Sequence, residues 1–200
     1  MKQCSNALWK VSSERGAPLK DPTVEIVDEN EVNAELDERI RTLLRLCFPD
    51  RQEIFQNRRV WHQTKPICSV LLRDGETLVG HAAVVVRTIT TTWNFRYNVA
   101  SIQGVCIRPD YRGNGFGQQL VETVCEEARR RGFPFAILFC KEPLVSYYLV
   151  RGWKLADESM VMWNKRDLPI SMRSNCPMYC ELSELPFPEG PLDVHSPSWC

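Results

Sequence analysis

The sequence predicts an α/β domain in which helices cover both faces of a mixed, mostly antiparallel sheet of about seven strands. Three observations support this prediction. Asp74-Gly75 lies between two apolar runs, which is a strong hairpin signal. Residues 115–131 carry apolar side chains at helical spacing. The wholly apolar run 135–140 follows that helix, which is typical of a strand buried on both faces.

The first half of the chain predicts an antiparallel meander preceded by a helix. The expected elements, in chain order, are extended segments at 6–12 and 22–28, a helix from Val32 that ends before Pro49, a short helix at 51–59, and strands at 68–72, 77–88 and 95–107. In the helix, apolar residues recur at spacings of three and four from Leu36 to Cys47. The strands are bounded by turn residues, as hairpin strands usually are.

The second half predicts a helix, a buried strand and a closing pair of strands. The expected elements are a helix at 115–131 closed by Gly132, a strand at 135–140, a short helix at 144–151, an antiparallel pair at Trp153–Trp163 and Met178–Leu182, and a tail from Pro186 without regular structure. The helix places its apolar stripe on one side and its charged residues on the other. We therefore expect one domain over residues 1–200, with its core at about 25–165 and the final strand and tail at 166–200.

Composition excludes several classes of protein. The 25 Lys and Arg balance the 25 Asp and Glu, so no global field favours nucleic acid or an anionic membrane as a partner. The longest apolar run has six residues, whereas a membrane-spanning helix needs about 20. Residues 1–20 lack the apolar region of a secretory signal. These features predict a cytoplasmic location. Nine dispersed cysteines without zinc spacing predict neither a disulfide framework nor a metal site.

The most informative segment runs from Gly104 to Gly117, where a buried strand turns through closely spaced glycines into a helix. Such a turn presents free N–H groups at the positive end of the helix, and glycine lets an anion approach the main chain. The glycines fall at 113, 115 and 117, which fits neither the Walker phosphate loop nor the dinucleotide fingerprint. The turn is predicted to bind phosphate, and the spacing disfavours a nucleotide-dependent oxidoreductase.

The turn resembles the Arg/Gln-x-x-Gly-x-Gly/Ala signature of the GNAT acyltransferase superfamily. The matching residues are Arg112, Gly115 and Gly117, with the lead-in Val105, Ile107 and Pro109 and the later segment Tyr148–Trp153. This resemblance covers about residues 25–165. Within the superfamily the chain looks closest to aminoglycoside 2'-N-acetyltransferases and more distantly similar to nodulation-factor N-acyltransferases, through residues 80–84, residues 148–153 and the end of the chain.

The resemblance implies that acetyl-CoA is the co-substrate, with no metal. Main-chain groups at 105–107 would pair with its pantetheine arm, as an added strand does, and residues 112–118 would hold its pyrophosphate. The cofactor-binding residues are therefore expected to be Val105, Cys106, Ile107, Arg112, Gly113, Asn114, Gly115, Phe116, Gly117 and Gln118. Core packing of Val105 and Ile107 is compatible with this role, because the backbone would make the contacts.

The resemblance also implies catalytic roles. Tyr148 would be the general acid that protonates the leaving CoA thiolate; the alternative is a core tyrosine. Gln103 stands where the family has a strand glutamate, and an amide cannot act as a base. Glu142 could act through water or be a solvated surface carboxylate, and His81 is a third candidate or a core histidine. Residues expected to bind the acceptor are Gln103, Gly104, Trp199 and Cys200.

Acidic residues are concentrated in two segments. Residues 21–40 contain eight acids and one arginine, and residues 171–200 contain four acids and one arginine; these would attract a cationic acceptor if they border the cleft. The predicted function is acetyl transfer from acetyl-CoA to a primary amine of a small molecule such as an aminosugar. The alternatives are an acyl-CoA-binding sensor and an enzyme that uses a longer acyl donor. The sequence does not determine the oligomeric state, for which a homodimer is a candidate.

Overall fold

The computed structural model describes residues 22–61, 64–156, 162–163 and 176–194. In these ranges the strands are β1 Thr23–Asp28, β2 Cys68–Asp74, β3 Thr77–Thr91, β4 Arg96–Ile107, β5 Phe135–Cys140, β6 Lys154–Leu155, β7 Met162–Trp163, β8 Cys176–Glu181 and β9 Leu192–Val194. The helices are α1 Ala34–Cys47, α2 Phe116–Arg130 and α3 Val145–Leu149. The predicted strand at 6–12 lies outside the described residues.

The strands form one mixed sheet. Its continuous path is β1-β2-β3-β4-β5-β8-β6, and the short strands β7 and β9 join at β3. All neighbours on the path pair antiparallel except β4 and β5, which run parallel. The sequence-based prediction of a mostly antiparallel sheet of about seven strands is confirmed. The parallel pair requires a crossover, and α2 supplies it.

Helices cover both faces of the sheet. Val70 and Leu72 of β2 pack in the same buried cluster as Leu120 of α2, whereas Leu71 packs with Ile40 and other residues of α1. Successive side chains of a strand point to opposite faces, so this alternation places α1 and α2 on opposite sides. The end of α1 and the start of α2 both reach the carboxyl end of β4, where the candidate site lies.

The segment predicted as a short helix at 51–59 is instead formed by short 3-10 turns at Pro49–Arg51 and Ile54–Gln56. Three aromatic side chains hold it, because Phe55 lies 5.5 Å from Phe48 and 4.9 Å from Trp61 between ring centroids. Arg45 also donates to the Phe55 carbonyl at 3.1 Å. Tertiary packing therefore replaces the regular helical hydrogen bonds that sequence spacing suggested.

The end of the chain differs from the prediction in two ways. β6 pairs antiparallel with β8, as expected, but the residues of β7 pair with β9 in parallel, so 153–163 is not one strand. The tail from Pro186 was predicted to lack regular structure, and this was wrong, since β9 pairs with the end of β3. Leu192 is only 1% exposed, and its burial explains why this part of the tail joins the sheet.

Three further findings concern membrane-spanning helices, cysteines and metal ligands. None of the described helices is both long enough and apolar enough to cross a membrane. The seven cysteines within the described ranges are free thiols, and no group of three or more potential ligands in those ranges is arranged to hold a metal ion.

Candidate active site

The two parallel strands part at the centre of the sheet. β4 pairs with β5 at Ala100–Ala136 and Ser101–Ile137, although both strands continue beyond those pairs to Ile107 and Cys140. Within the described residues, the edge of β4 at 102–107 therefore has no register partner in β5. An edge of this kind on β4 presents N–H and C=O groups that an extended ligand can use. We call this opening the slot.

A bulge in β4 lies at the mouth of the slot. In the β3–β4 ladder His81 pairs with Cys106 and Ala83 pairs with Gln103, so β4 has one residue more than β3 between these pairs. Gly104 has φ +62°, a conformation that favours glycine. A Cβ there would lie 3.2 Å from ring atoms of His81 and 3.3 Å from Leu44. Bulges bend the strand that contains them, and β4 departs from β5 in this region.

The glycine-rich turn lies beyond the open end of β4. Gly113 and Gly115 have φ +83° and +81°, and Gly115 is the N-cap of α2. The Gln118 amide donates to the Gly115 carbonyl at 2.9 Å, while the amides of residues 113–117 have no hydrogen-bond partner in the described part of the chain. A Cβ on Gly113 or Gly115 would meet nothing within 4 Å. The turn is therefore an open row of N–H donors at a helix N-terminus, which suits an anion.

Side chains hold the turn in place. Arg112 donates through Nε to the Ile107 carbonyl at 2.9 Å, which anchors the turn to the end of β4. Asn114 donates through Nδ2 to the carbonyls of Tyr111 and Arg112, each at 3.2 Å. The Cys47 thiol also lies 3.5 Å from the Ile107 carbonyl, so the end of α1 reaches the same point. Arg112 also places a positive charge next in sequence to the row of amides at 113–117.

A second group beside the turn was not identified from the sequence. The Tyr147 hydroxyl lies 2.9 Å from the position of a Cβ on Gly117, so glycine there leaves room for α3 against the first turn of α2. The Arg151 guanidinium lies 3.7 Å from the Tyr147 ring centroid, and its Nη2 lies 3.5 Å from Oε1 of Gln118. The only signal for this group was the position of both residues within or next to the Tyr148–Trp153 segment.

Tyr148 lies in the core, in the buried cluster that includes Ile102 and Cys140. It is 5% exposed, and its ring centroid is 5.1 Å from Tyr147 and 5.7 Å from Trp153. Burial, with a smaller contribution from the Cys140 thiol, raises the pKa of the Tyr148 hydroxyl above its usual value. The phenol therefore stays protonated at neutral pH and keeps the proton that a general acid must supply.

The candidates for a base have different surroundings. Gln103 is 7% exposed; its Oε1 accepts from the Trp61 amide at 3.1 Å and its Nε2 donates to the Ser101 hydroxyl at 3.3 Å. His81 is fully buried, and burial lowers its pKa to about 4. Glu142 is exposed in the 3-10 turn that follows β5. Of these three side chains only Glu142 is exposed, two residues beyond the end of β5. Gln103 instead holds the main chain at Trp61.

The acidic run at the start of the chain is not a free negative surface. Most of its described acids pair with arginines: Glu25 with Arg73, Asp28 with Arg131, Glu29 with Arg59, Asp37 with Arg41 and Arg59, and Glu38 with Arg41 and Arg45. These arginines neutralise the charge that was expected to attract a cation. Of the residues predicted to bind the acceptor, Trp199 and Cys200 lie outside the described residues.

A pocket of about 280 Å³ lies between α1 and the β2–β3 hairpin, lined by residues that include Leu43, Leu46, Leu78 and Arg108. None of the predicted site residues lines it. The slot and the turn, rather than this pocket, bring the predicted cofactor-binding residues together.

The chain is similar to known proteins. The chain matches the model of the Acetyltransferase (GNAT) family over residues 37–152. A curated relative, described as an uncharacterized N-acetyltransferase ycf52-like from Prochlorococcus marinus, is 34% identical over 56 residues, or 28% of this chain. The match spans only 31% of that relative's length.

Solved structures show the same fold. The GNAT family N-acetyltransferase YhbS from Escherichia coli, determined in complex with CoA, has a TM-score of 0.63 at 16% identity, covering 90% of this chain and 93% of that one. N-acetylglutamate synthase from Neisseria gonorrhoeae, complexed with coenzyme A and N-acetyl-glutamate, has a TM-score of 0.54 at 16% identity, covering 82% of this chain and 36% of that one. Because the family model matches more than half of the residues, the chain belongs to the acetyltransferase (GNAT) family of acyltransferase enzymes.

Proposed function

We propose that the protein transfers an acetyl group from acetyl-CoA to a primary amine of a small molecule. The observation that carries this proposal is the continuity between the slot and the row of unpartnered amides at 113–117. The pantetheine arm contains amides that suit open strand edges, and the pyrophosphate is an anion that suits the helix N-terminus. One extended ligand of this chemistry would satisfy both parts of the site.

The proposed contacts follow the main chain. Val105, Cys106 and Ile107 offer their backbone to pantetheine, since their side chains pack in the buried clusters. Arg112 to Gln118 surround the pyrophosphate. Two structural neighbours named above were determined with CoA, which supports CoA as the donor.

The proposed reaction is direct transfer. The amine nitrogen attacks the thioester carbonyl, the C–N bond forms and the C–S bond breaks. Tyr148 gives its proton to the departing sulfur, the amine loses a proton to water ordered by Glu142, and solvent returns a proton to Tyr148. Holding donor and acceptor together supplies much of the rate. Tyr148 is assigned as the acid through the family resemblance of residues 148–153; burial raises its pKa, so the proton is present at neutral pH but is held more tightly than in a free tyrosine.

We propose an aminosugar or aminoglycoside as the acceptor class to test first. The support is the likeness of residues 148–153 and of the chain end to aminoglycoside 2'-N-acetyltransferases. Gln103, Gly104, Trp199 and Cys200 remain the proposed acceptor-binding residues. The acidic run adds no support, because arginines pair with most of it.

A thiol-release assay tests the function. Acetyl-CoA is incubated with aminoglycosides, polyamines, amino acids and peptides in turn, and release of free CoA is measured with calorimetric titration of CoA in parallel. CoA binding and amine-dependent release are expected. Binding without release for every amine would favour the acyl-CoA sensor, and absence of CoA binding would contradict the proposal.

Truncation after Val194 tests the tail as part of the acceptor site. This variant keeps β9, whose removal would disturb the edge of β3. If Trp199 and Cys200 hold the acceptor, KM for the amine should rise about tenfold or more while CoA affinity and melting temperature stay unchanged. An unchanged KM would exclude these two residues from the acceptor site.

A further inference from the structure

We propose that His81 is a positioning residue that holds the bulge of β4 at Gly104 and thereby keeps the cofactor slot open. This inference rests on the proposed use of the slot by CoA. His81 Nδ1 lies 3.0 Å from the Gly104 carbonyl oxygen, and the residue is fully buried on the α1 side of the sheet. Its ladder partners Leu71 and Cys106 pack in the cluster that contains α1 residues, which places His81 on that side.

The hydrogen bond fixes the protonation of the ring. A carbonyl oxygen only accepts, so Nδ1 must carry the hydrogen that His81 donates. Nε2 is then the unprotonated nitrogen, and it has no hydrogen-bond partner in the described part of the chain. Burial and the nearby Arg59 disfavour the imidazolium form and lower the His81 pKa to about 4. His81 is therefore a constant donor at neutral pH.

The Gly104 carbonyl needs this donor because of the bulge. Neither Gly104 nor Val105 has a register partner in β3, so the extra residue displaces this part of β4 from the ladder. A buried carbonyl without a partner is unfavourable. His81 supplies a partner from the neighbouring strand and so compensates for the irregularity.

Removal of the donor favours loss of the bulge. If β4 slid by one residue along β3, regular pairing would return, but each side chain beyond Gly104 would change face. The end of β4 would also move by about 3.3 Å, the rise of one strand residue. Arg112 is anchored to the Ile107 carbonyl, so the phosphate-binding turn would move with it, and β4 would be free to approach β5.

Packing makes His81 and Gly104 a matched pair. Ring atoms Cε1 and Nδ1 lie 3.2 Å from the position of a Cβ on Gly104, and Leu44 lies 3.3 Å from it. The imidazole therefore fills the space that a side chain at position 104 would take. The flat imidazole of His81 fits this space, and its Nδ1, which is bonded to Cγ, is placed to make the hydrogen bond.

Two substitutions separate the donor from the packing. In His81→Asn, the amide Nδ2 stands the same number of bonds from Cβ as Nδ1 and can donate to the carbonyl. In His81→Leu, an apolar side chain fills the site without a donor. Val85→Ala is the matched control, since Val85 is fully buried on the same strand and the same face, in a separate cluster from His81.

The readouts are the Kd for CoA by calorimetry and the melting temperature. His81→Leu is expected to weaken CoA binding about tenfold or more, while His81→Asn stays within about threefold of wild type. Val85→Ala should lower the melting temperature without changing Kd. Long-range proton–nitrogen NMR spectra of the wild type should show the Nδ1–H tautomer.

Three results would overturn the inference. They are wild-type affinity in folded His81→Leu, equal weakening by the Asn and Leu variants, and an Nε2–H tautomer. If His81→Leu does not fold, His81→Gln replaces it, because its amide extends beyond the Nδ1 position and is expected to weaken binding where Asn does not. Failure of the proposed function would look different from failure of this inference, because the wild type itself would then not bind CoA.

Discussion

Gly115→Val is expected to remove most of the affinity for CoA and leave the fold intact. Gly115 has φ +81° and caps α2, and a Cβ there would project into open space rather than into protein. The added branches would stand over the amides of 113–117 and keep an anion away from them. We expect Kd to rise about 30-fold or more, equivalent to about 2 kcal/mol, in calorimetric titrations.

The chain offers a control for backbone strain. Gly132, beyond the other end of α2, has φ +82°, and a Cβ there would also meet nothing within 4 Å. Valine at a left-handed position costs about 1–2 kcal/mol of stability, and both variants should show this loss in thermal melts. Gly132→Val should bind CoA normally. If Gly115→Val and Gly132→Val bound CoA with equal affinity, the turn would not be part of the cofactor site.

Tyr148→Phe is expected to lower kcat about 100-fold with little change in the Kd for CoA. The substitution keeps the ring contacts with Tyr147 and Trp153 and removes only the proton donor. Steady-state kinetics with the amine identified by the thiol-release screen, together with calorimetry, measure the two quantities. Preserved kcat would show that Tyr148 is a core residue and that the thiolate leaves without its help.

Tyr147→Phe is the paired control, because Tyr147 lies beside Tyr148 but its hydroxyl faces Gly117. It should retain kcat; the reverse pattern would assign the acid to Tyr147.

The pH profile gives a second check of Tyr148 as the acid. Burial disfavours the phenolate and raises the Tyr148 pKa, so kcat should not fall with loss of this proton until pH exceeds the usual tyrosine value of about 10.

Local signals predicted the elements of the fold well. The Asp74-Gly75 hairpin, the apolar stripe of α2 and the buried run of β5 each depend on neighbours in sequence, and the structure has all of them. The glycine turn was also identifiable, since its residue types and spacing are local.

Features that depend on distant partners were not predictable in the same way. The bulge at Gly104 exists only relative to the register of β3, and β9 forms because Leu192 finds a buried place beside β3. The acidic run lost its predicted role because its partners, such as Arg73 and Arg131, come from other parts of the chain. Sequence spacing carries no information about such encounters.

The slot is lined by the main-chain edge of β4, and every residue type except proline offers the same main-chain N–H and C=O groups. If CoA binds along the slot as proposed, side chains along β4 and β5 can be replaced widely, provided that the strands part at the same register and that glycines remain at the turn. Escherichia coli YhbS retains the fold at 16% identity, as expected when selection acts on backbone geometry. A protein that binds CoA in this way would then be better recognised by the positions of its bulge and glycines than by overall similarity.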